Sequence, residues 1–256
     1  MDPIINIKNL TKSFFDILTN DYTVILNDID FYINEGEIVS LIGPSGCGKS
    51  TLLNIISGLE DPDRGEITIT NIDVDNRLGE LSYMQQKDLL LPWKTVLGNS
   101  ILGLEILNKD KYLSEQKALA LMDTFGLKGY ENYFPNQISG GMRQRASFLR
   151  TILTDKKILL LDEPFSSLDS ITRLQMQQWL LELWRKFNKT ILLVTHDIDE
   201  AIFLSDRIYV MKSHLSTSIN VIKVDLRRPR NREVVLEQSF LNIKKQILPI
   251  LGNEYG

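Results

Sequence analysis

The stretch that decides the fold is "EIVSLIGPSGCGKSTLLNIISGL", at residues 37–59. It starts with a short run rich in Ile, Val and Leu and ends with residues that are apolar at helical spacing. A glycine-rich loop therefore joins a strand to a helix. The loop fits the pattern G-x-x-x-x-G-K-[ST] without a mismatch, from Gly43 to Ser50. Glycine-rich turns join such elements in many proteins, but this spacing predicts a loop that wraps phosphate.

The residue types of this loop explain how it would bind a nucleotide. Successive backbone N–H groups form a concave anion site, and the helix that begins near Lys49 adds the positive end of its dipole. Lys49 would reach the β- and γ-phosphates, and the hydroxyl of Ser50 would ligate Mg²⁺. Cys47 is the only cysteine, and we interpret it as filling the loop. The predicted nucleotide contacts here are Gly43, Pro44, Ser45, Gly46, Cys47, Gly48, Lys49, Ser50 and Thr51.

The composition is that of a folded protein with one large domain. The chain has 256 residues, of which 43% are hydrophobic and 24% charged, and its formal net charge is −4. This balance argues against a general nucleic-acid-binding protein, which usually has a basic excess. We see no signal peptide and no apolar run of membrane-spanning length, and a single cysteine fits a reducing compartment. The basic cluster "RRPRNR" at 227–232 is interpreted as a solvated loop.

Hydrophobic periodicity predicts an α/β fold. Half-buried antiparallel strands are predicted where apolar and polar residues alternate, at 4–10, 27–33, 66–70 and 219–224. Strands of a buried parallel sheet are predicted at 38–42, 157–163, 190–197 and 207–212. Between them lies a helical region, with helices expected at 95–107 and 113–126. Ser114 is the expected N-cap of the second helix, and a last amphipathic helix is expected to bury Leu236, Phe240, Ile243 and Ile247.

Two of the buried strands are predicted to end in reactive groups. The strand "ILLLDE" ends in Asp162 and Glu163, and a phosphate site with Mg²⁺ needs an acidic residue at a strand end beside the phosphate loop. Asp162 is therefore the predicted metal ligand, and Glu163 is predicted to orient and deprotonate the attacking water. The strand "TILLVTHD" brings His196 to the same edge, where we expect it to contact the γ-phosphate. His214 has no such context and is predicted to lie on the surface.

The segment "QISGGMRQR", at 137–145, has no use in a simple phosphate-loop enzyme. Ser139 before an amphipathic run predicts the N-cap of a helix. The free N–H groups at that end would form a second anion site with Gly140 and Gly141. An ordinary helix cap is the alternative. One chain with one ATP needs no second phosphate site, whereas two chains arranged head to tail would use both.

Taken in order, these motifs resemble the nucleotide-binding subunit of ATP-binding cassette (ABC) transporters over nearly the whole chain. GPSGCGKST resembles the family's Walker A motif, ILLLDE resembles Walker B, and "ISGGM" resembles the signature LSGGQ with Ile for Leu and Met for Gln. By this resemblance Gln85 in "YMQQ" is the Q-loop glutamine, a catalytic and metal-binding residue. Asp169 in "SSLD" is the D-loop aspartate, which contacts nucleotide, and His196 is the switch histidine.

Two aromatic residues are candidates for the one that stacks on adenine. In the family an aromatic residue follows "TK-x" near the start of the chain, which points to Phe14. An unusually long segment, "FDILTNDYTVIL", follows that position here. Tyr22 in this segment therefore stays open as an alternative.

The resemblance also implies a fold and a mechanism. The expected fold is a single ABC ATPase domain over 1–256, of the α/β P-loop NTPase class with an antiparallel β subdomain. Its parts are a nucleotide-binding core at 1–85 and 139–225, an inserted helical subdomain at 86–138 and a C-terminal extension at 226–256. Two such subunits, identical or homologous, would hold two ATP molecules with Mg²⁺ between the Walker A of one and the signature of the other. Hydrolysis would then open the dimer.

The segment "DLLLPWKTVLGN", at 88–99, is expected to expose Leu90, Leu91 and Trp93. In the family this region faces the transmembrane permease subunits, and core packing is the alternative. "LLPW" and the tail "VDLRRPRNR" resemble the importers for nitrate, aliphatic sulfonates and taurine. The implied location is the cytoplasmic face of the membrane. An extracytoplasmic solute-binding protein is the implied indirect partner, and no nucleic acid is expected.

Two other functions compete with an importer subunit. A soluble ABC ATPase of DNA repair, chromosome structure or cluster assembly would share the motifs. Chromosome-type relatives, however, need a long coiled coil between Walker A and the signature, and the interval from 52 to 137 has no sustained heptads. A phosphate-loop kinase has no use for the Ser-Gly-Gly helix cap.

Overall fold

The computed structural model describes residues 3–17, 20–212 and 219–252. Its strands are β1 (Ile5–Asp16), β2 (Asp21–Ile33), β3 (Ile38–Ile42), β4 (Arg64–Ile69), β5 (Ser82–Met84), β6 (Ile158–Asp162), β7 (Thr190–Val194), β8 (Arg207–Met211) and β9 (Ile219–Lys223). Its helices are α1 (Lys49–Ser57), α2 (Val96–Ser100), α3 (Leu102–Ile106), α4 (Lys111–Met122), α5 (Gly140–Leu153), α6 (Ser170–Phe187), α7 (Ile198–Leu204) and α8 (Gln238–Gly252). His214 and residues 253–256 of the predicted C-terminal extension lie outside the described residues.

A six-stranded sheet forms the centre of the molecule, in the order β5-β6-β7-β3-β8-β9. The first five strands in this order are parallel, and β9 pairs antiparallel with β8 at the edge. The strands β3, β6, β7 and β8 are buried along their whole length. Because helices and a second sheet cover the two faces of this sheet, these strands carry apolar residues on both faces rather than on alternate positions only.

The second sheet is antiparallel, with β1 between β2 and β4. Ile5, Ile7 and Leu10 of β1 are buried against the main sheet. The strand β1 continues to Asp16, beyond the predicted end at residue 10, because β2 is long enough to pair with it as far as Asp21. The α/β fold class with a separate antiparallel sheet is thus confirmed.

Two apolar cores lie on opposite faces of the main sheet, since successive side chains of a strand point to opposite faces. Val39 and Leu41 of β3 belong to the core that contains α1 and the antiparallel sheet. Ile38 and Ile42 of the same strand belong to the other core, which contains the helices α5 to α8. The short loops that leave the carboxyl ends of the parallel strands therefore emerge at one edge, between the two cores.

The helical region departs from the sequence prediction in detail. The expected helix 95–107 is two short helices, α2 and α3, which meet at Ile101. The next helix, α4, begins at Lys111, because Asp110 accepts a hydrogen bond from the backbone N–H of Leu113 and is the N-cap. The prediction of Ser114 as N-cap was wrong, since Ser114 lies inside the helix and donates its hydroxyl to the carbonyl of Asp110.

The last helix differs from the sequence prediction at one residue. Phe240, Ile243 and Ile247 of α8 are buried as predicted. Leu236 instead lies in a 3-10 turn before α8, where it is 81% exposed.

The helices α2 to α4 pack against α5. The boundaries of the subdomains at 85, 138 and 225 stay a prediction. Among the described helices, none has both the length and the apolar character that crossing a membrane requires.

Candidate active site

The phosphate-loop sequence, residues 43–51, connects β3 to α1. Gly46 and Gly48 have φ values of 81° and 100°, which glycine adopts without the clash that a Cβ would cause. A Cβ at Gly48 would also lie 2.7 Å from Cδ2 of Leu26. The helix α1 begins after Gly48 without a side-chain cap. The N–H groups of its first turn are therefore available to an anion.

Lys49 lies over this loop. Its Nζ is buried and donates hydrogen bonds to the carbonyl oxygens of Gly43, at 2.9 Å, and Pro44, at 2.8 Å. A cation in this position is placed to meet phosphate oxygens held by the loop's N–H groups. The thiol of Cys47 is buried beside Lys49, and burial raises its pKa. The thiol therefore stays neutral, which supports its interpretation as a filler of the loop.

The loop is joined to β6 by a hydrogen bond from Oγ of Ser50 to Oδ2 of Asp162, at 2.8 Å. Asp162 is the last residue of β6 and only 4% exposed, and burial raises the pKa of its carboxyl. Oxygen ligands of this kind are those that Mg²⁺ prefers. A divalent cation beside this carboxylate would offset the cost of burying its charge. Ser50 and Asp162 therefore fit the predicted magnesium site.

Glu163 follows Asp162 in a strained conformation. Its φ of 48° lies in the left-handed region, which costs a residue with a side chain about 1–3 kcal/mol. Its backbone N–H donates to the carbonyl of Val194 at 2.9 Å, and this bond to β7 holds the turn. Oε2 of Glu163 lies 3.4 Å from Nδ1 of His196. The structure thus brings together the predicted base and the predicted switch histidine.

The glutamine at this site is Gln86, not the predicted Gln85. Nε2 of Gln86 donates to Oε2 of Glu163 at 3.1 Å. Gln85 instead lines a cavity of about 400 Å³ together with Leu89 and Leu102. Adjacent residues at the end of β5 point to opposite sides, so only one of the two glutamines can reach Glu163. The sequence "QQ" indicates a glutamine at this site, but two adjacent glutamines give no local sign of which one faces Glu163.

His196 follows β7 and is largely exposed, beside a buried carboxyl that the sequence did not single out. Glu200 of α7 accepts a hydrogen bond from Nε2 of Gln177 at 3.1 Å, and burial raises its pKa to about 7. Asp197 is the N-cap of α7 and accepts bonds from the N–H groups of Asp199 and Glu200. The loop that carries His196 is therefore held by the start of α7.

The signature segment forms the helix N-terminus that the sequence predicts. Oγ of Ser139 accepts a hydrogen bond from the N–H of Met142 at 3.3 Å and caps α5. A Cβ added to Gly140 or Gly141 would meet no atom nearer than 3.6 Å or 3.5 Å, respectively. Neither glycine has a positive φ. Among the described residues, none therefore requires glycine at these two positions, in contrast to Gly48.

Asp169 is the N-cap of α6. Its Oδ1 accepts a hydrogen bond from the N–H of Thr172 at 3.0 Å, and hydrogen bonds with Thr172 lower the pKa of the carboxyl. The carboxylate thus has a structural partner within its own helix. Its predicted contact with nucleotide stays a prediction.

The two candidate adenine contacts lie on the β1–β2 hairpin. Phe14 is half-exposed, and Nζ of Lys12 lies 5.3 Å from the centroid of its ring. Tyr22 is more exposed and packs edge-on against Phe15, with their ring centroids 5.3 Å apart. Leu26, which contacts the phosphate loop at Gly48, pairs with Lys12 across the sheet. Phe14, which pairs with Thr23, lies one rung closer to this contact than Tyr22, which pairs with Phe15. Which of the two rings contacts adenine stays a prediction.

The segment after Gln86 is held rigidly and exposes a tryptophan. Nδ2 of the buried Asn99 donates to the carbonyl of Leu91 at 3.0 Å, and Oδ1 of Asn99 accepts from the N–H of Leu91 at 2.7 Å. Trp93 is 72% exposed as predicted, and Leu91 is half-buried. Leu90 was expected on the surface but is 9% exposed and packs in the core. Its neighbour Leu89 is exposed instead, because its positive φ of 47° turns the chain.

Comparison with known proteins identifies the family and the fold. A model of the ABC transporter family matches residues 26–166. The chain belongs to the ABC transporter family. Across 232 residues it is 44% identical to the formylaminopyrimidine import ATP-binding protein ThiZ of Halalkalibacterium halodurans, covering 90% of this chain and 91% of that protein. The aliphatic sulfonates import ATP-binding protein SsuB of Bacillus cereus is 41% identical over 248 residues, which are 97% of this chain and 95% of that protein.

The solved structures agree with this assignment. A dimeric ATP-binding cassette in a post-hydrolysis state with ADP and Pi is 31% identical, with a TM-score of 0.78 over 87% of this chain and all of that one. The predicted ABC ATPase fold is therefore confirmed. The predicted resemblance to ATP-binding subunits of importers is also confirmed, and the chain is an ATPase cassette of this family.

We expect glycine to be required by the fold at Gly48 but not at Gly140. Gly48→Ala should lower the free energy of unfolding by about 1–3 kcal/mol, because of the positive φ and the contact with Leu26. Gly140→Ala should change it by less than about 0.5 kcal/mol. Urea unfolding of the nucleotide-free protein measures both. Equal losses in the two variants would contradict this account of the signature glycines.

The raised pKa of Glu200 predicts a dependence of stability on pH. In the unfolded chain this carboxyl ionises near its ordinary value of 4.5, whereas in the folded protein it stays protonated up to about pH 7. Unfolding therefore releases a proton between these values, and stability falls as the pH rises through this window. Glu200→Gln should remove up to about 3 kcal/mol of that fall. Urea unfolding at about pH 5 and about pH 7.5 measures it.

The control for this measurement is Glu182→Gln, which changes an exposed carboxyl on α6. It should leave the pH dependence as in the unaltered protein. An unaltered pH dependence in Glu200→Gln would show that Glu200 is ionised in the folded state.

Proposed function

We propose that this chain is the ATP-hydrolysing subunit of a membrane ABC importer for a small solute of the nitrate, sulfonate and taurine group. Two copies, or one copy and a homologous subunit, would close around two ATP molecules. The ATPase proposal rests on the contacts among side chains at the ends of the parallel strands. Ser50 donates a hydrogen bond to Asp162. Glu163 contacts both Gln86 and His196. The import proposal rests on the relatives, which match nearly the whole chain.

ATP would bind with its phosphates on the N–H groups of the loop and with Lys49 against the β- and γ-oxygens. Ser50, Asp162 and the amide of Gln86 would hold Mg²⁺, which supplies charge neutralisation on the phosphate oxygens. Gln86 takes the role that the sequence assigned to Gln85. Phe14 would contact adenine.

Glu163 would act as the general base. Its carboxylate is held at one oxygen by Gln86 and lies beside His196. Such a held carboxylate can orient a water molecule and accept its proton as the water attacks the γ-phosphorus. Nδ1 of His196 faces Glu163, so its other ring nitrogen would be free to contact the γ-phosphate. Lys49 would stabilise the negative charge on the transferred group.

The dimer proposal is supported by the two signature glycines. Within the part of the chain that the structure describes, no contact or positive φ requires Gly140 and Gly141 to lack a side chain, and they lie at the start of α5. A close approach by a phosphate held in another subunit would supply that reason. Ser139 caps the same helix end. A head-to-tail pair uses both sites of each chain and closes with two-fold symmetry.

The surface around Trp93 is the proposed contact with the permease subunits. Trp93, Leu89 and the half-buried Leu91 present apolar surface on a loop that is fixed by Asn99. Arg150 of α5 also holds this loop, because its guanidinium donates to the carbonyl oxygens of Asp88 and Leu89. Since α5 begins at the signature, a force on the loop would reach the dimer interface. The chain would then lie at the cytoplasmic face of the membrane, with a solute-binding protein as an indirect partner.

The importer proposal is tested by identifying what purifies with the chain. The tagged chain is recovered from its own host after gentle solubilisation of the membranes. A polytopic membrane protein in the complex is the expected result, and a solute-binding protein would narrow the cargo. Recovery from the soluble fraction alone, with soluble partners or nucleic acid, would replace the proposal by the alternative of an ABC ATPase not coupled to transport.

Removing the base should stop hydrolysis without preventing nucleotide binding. Glu163→Gln keeps the shape and the contact with Gln86 but loses the proton acceptor, so the ATPase rate should fall about 10²-fold or more. ATP binding, measured by equilibrium titration, should persist, and the dimer should accumulate in size-exclusion chromatography. A rate within a few-fold of the unaltered protein would remove Glu163 from the role of base.

The two glutamines provide a matched pair. Gln86→Ala should lower the ATPase rate of the isolated subunit far more than Gln85→Ala, because only Gln86 contacts Glu163. Steady-state phosphate release measures both variants. A larger loss from Gln85→Ala would restore the assignment made from the sequence.

Trp93→Ala should reduce ATP-driven transport in reconstituted vesicles, while the ATPase rate of the isolated subunit stays within about two-fold of the unaltered protein. The matched control is Phe187→Ala, which removes another exposed aromatic ring, at the end of α6. That variant should leave transport unchanged. Loss of the isolated subunit's ATPase activity in Trp93→Ala would mean that the ring supports the fold.

A further inference from the structure

An open cavity of about 650 Å³ lies between α6 and the segment that follows β9. Its lining includes the apolar side chains of Leu181 and Trp184 and part of the basic cluster at 227–232. Four of the lining residues are cationic, and one, Glu182, is acidic. A volume of this size accepts a small organic molecule. The cavity is separate from the phosphate loop and shares no residue with the proposed active site.

Arg230 forms the buried wall of this cavity. It is 3% exposed, and its Nη1 donates to the carbonyl oxygens of Ile202, Phe203 and Ser205 at the end of α7. Its Nε is buried and has no hydrogen-bond partner among the described residues. A buried donor without a partner costs free energy that a ligand could recover. Capping α7 uses Nη1, and Nη2 donates to the carbonyl of Leu226 at 3.5 Å. Among the described residues, Nε is therefore the one nitrogen of this guanidinium without a partner.

The charge of Arg230 is also incompletely balanced. Within the described part of the chain Arg230 forms no ion pair, and the nearby Asp206 is bonded to Arg228 instead. Burial, followed by repulsion from Arg228, lowers the pKa of Arg230 to about 10. A buried cation with only carbonyl partners favours the approach of an anion.

The other walls add charge and a flat apolar surface. The guanidinium of Arg228 lies 4.2 Å from the ring centroid of Trp184 and is thereby fixed at the cavity. Arg185 and Lys186 are exposed at the rim, in the last turn of α6. Cations are favoured at the C-terminus of a helix, which explains in part why Arg185 and Lys186 lie there. Arg228 and Arg230 reach the same space from another segment, where Nη2 of Arg228 donates to the carbonyl of Leu204 at the end of α7.

We propose that this cavity binds a small organic anion, whose acidic group contacts Arg230 and the rim cations and whose body packs on Trp184 and Leu181. The acidic group would be a sulfonate, phosphate or carboxylate, since each accepts several hydrogen bonds from guanidinium groups. The segment "RRPRNR" would thus be a binding element rather than a solvated loop. This inference concerns the isolated chain and does not rest on the proposed transport function.

The test is calorimetric titration of small anions into the full chain. Mg·ADP is present at saturation, so that the phosphate loop is occupied. The probes are butanesulfonate, phenyl phosphate and butyrate, with butanol as the uncharged comparison. At least one anion should bind with one site per chain and far more tightly than butanol. The order of the three anions identifies the acidic group. Added salt should weaken this binding, since the attraction is between charges.

Two double variants locate the site. Arg185→Glu with Lys186→Glu reverses the charge of the rim and should weaken anion binding about tenfold or more. Lys109→Glu with Lys245→Glu makes the same change of total charge at exposed residues away from the cavity and should leave binding within about two-fold. Thermal unfolding checks that both variants are folded.

No saturable binding by any of the three anions would overturn the proposal. Equal effects of the two double variants would also overturn it, as would butanol binding as tightly as the anions. Arg230→Gln provides a second measurement on the buried wall. If this variant is folded by thermal unfolding, it should lose anion binding, and unaltered binding would exclude Arg230 from the site.

Discussion

The parallel pairing of β3, β7 and β6 is the constraint on which the rest of the structure depends. Leu41 pairs with Val194, and Val194 pairs with Asp162, so the three strands end at one level. Two backbone bonds extend the pairing past the strand ends, from Glu163 N–H to Val194 and from Thr195 N–H to Leu41. The phosphate loop, the two carboxylates and the predicted switch histidine come from distant parts of the sequence. They meet because three buried apolar strands are held in register.

The site stores unfavourable free energy that the core offsets. Asp162 is buried with a carboxyl whose pKa burial raises, and Glu163 is held at a positive φ. Neither condition would persist in a flexible loop, because a local change of conformation would remove it. Both persist here because the preceding strand is covered on both faces. The same packing keeps the carboxylate of Glu163 against Gln86 and His196, so the proposed base would need little reorganisation when ATP binds.

The short helix α7 connects the active site to the basic cavity. Asp197 caps its first turn directly after His196, and Arg230 binds the carbonyl oxygens at its other end. A helix of seven residues has little stability of its own and depends on these end contacts and on packing. The two ends of this one short helix therefore lie beside His196, the proposed γ-phosphate contact, and beside Arg230 of the cavity wall. The structure thus contains a direct physical connection between them.

By itself the sequence determined the elements whose signals are local. These are the phosphate loop, the apolar parallel strands, the cap at Ser139 and the carboxylates at the end of β6, because turn chemistry, apolar runs and helix capping depend on near neighbours. Tertiary structure decided which side of a chain faces which partner. The position of β5 in the sheet directs Gln86 rather than Gln85 toward Glu163. The turn at Leu89 buries Leu90. The carbonyl oxygens at the end of α7 bind Arg230, so this residue of a polar segment is buried. Long-range packing sets these outcomes, and no local pattern encodes it.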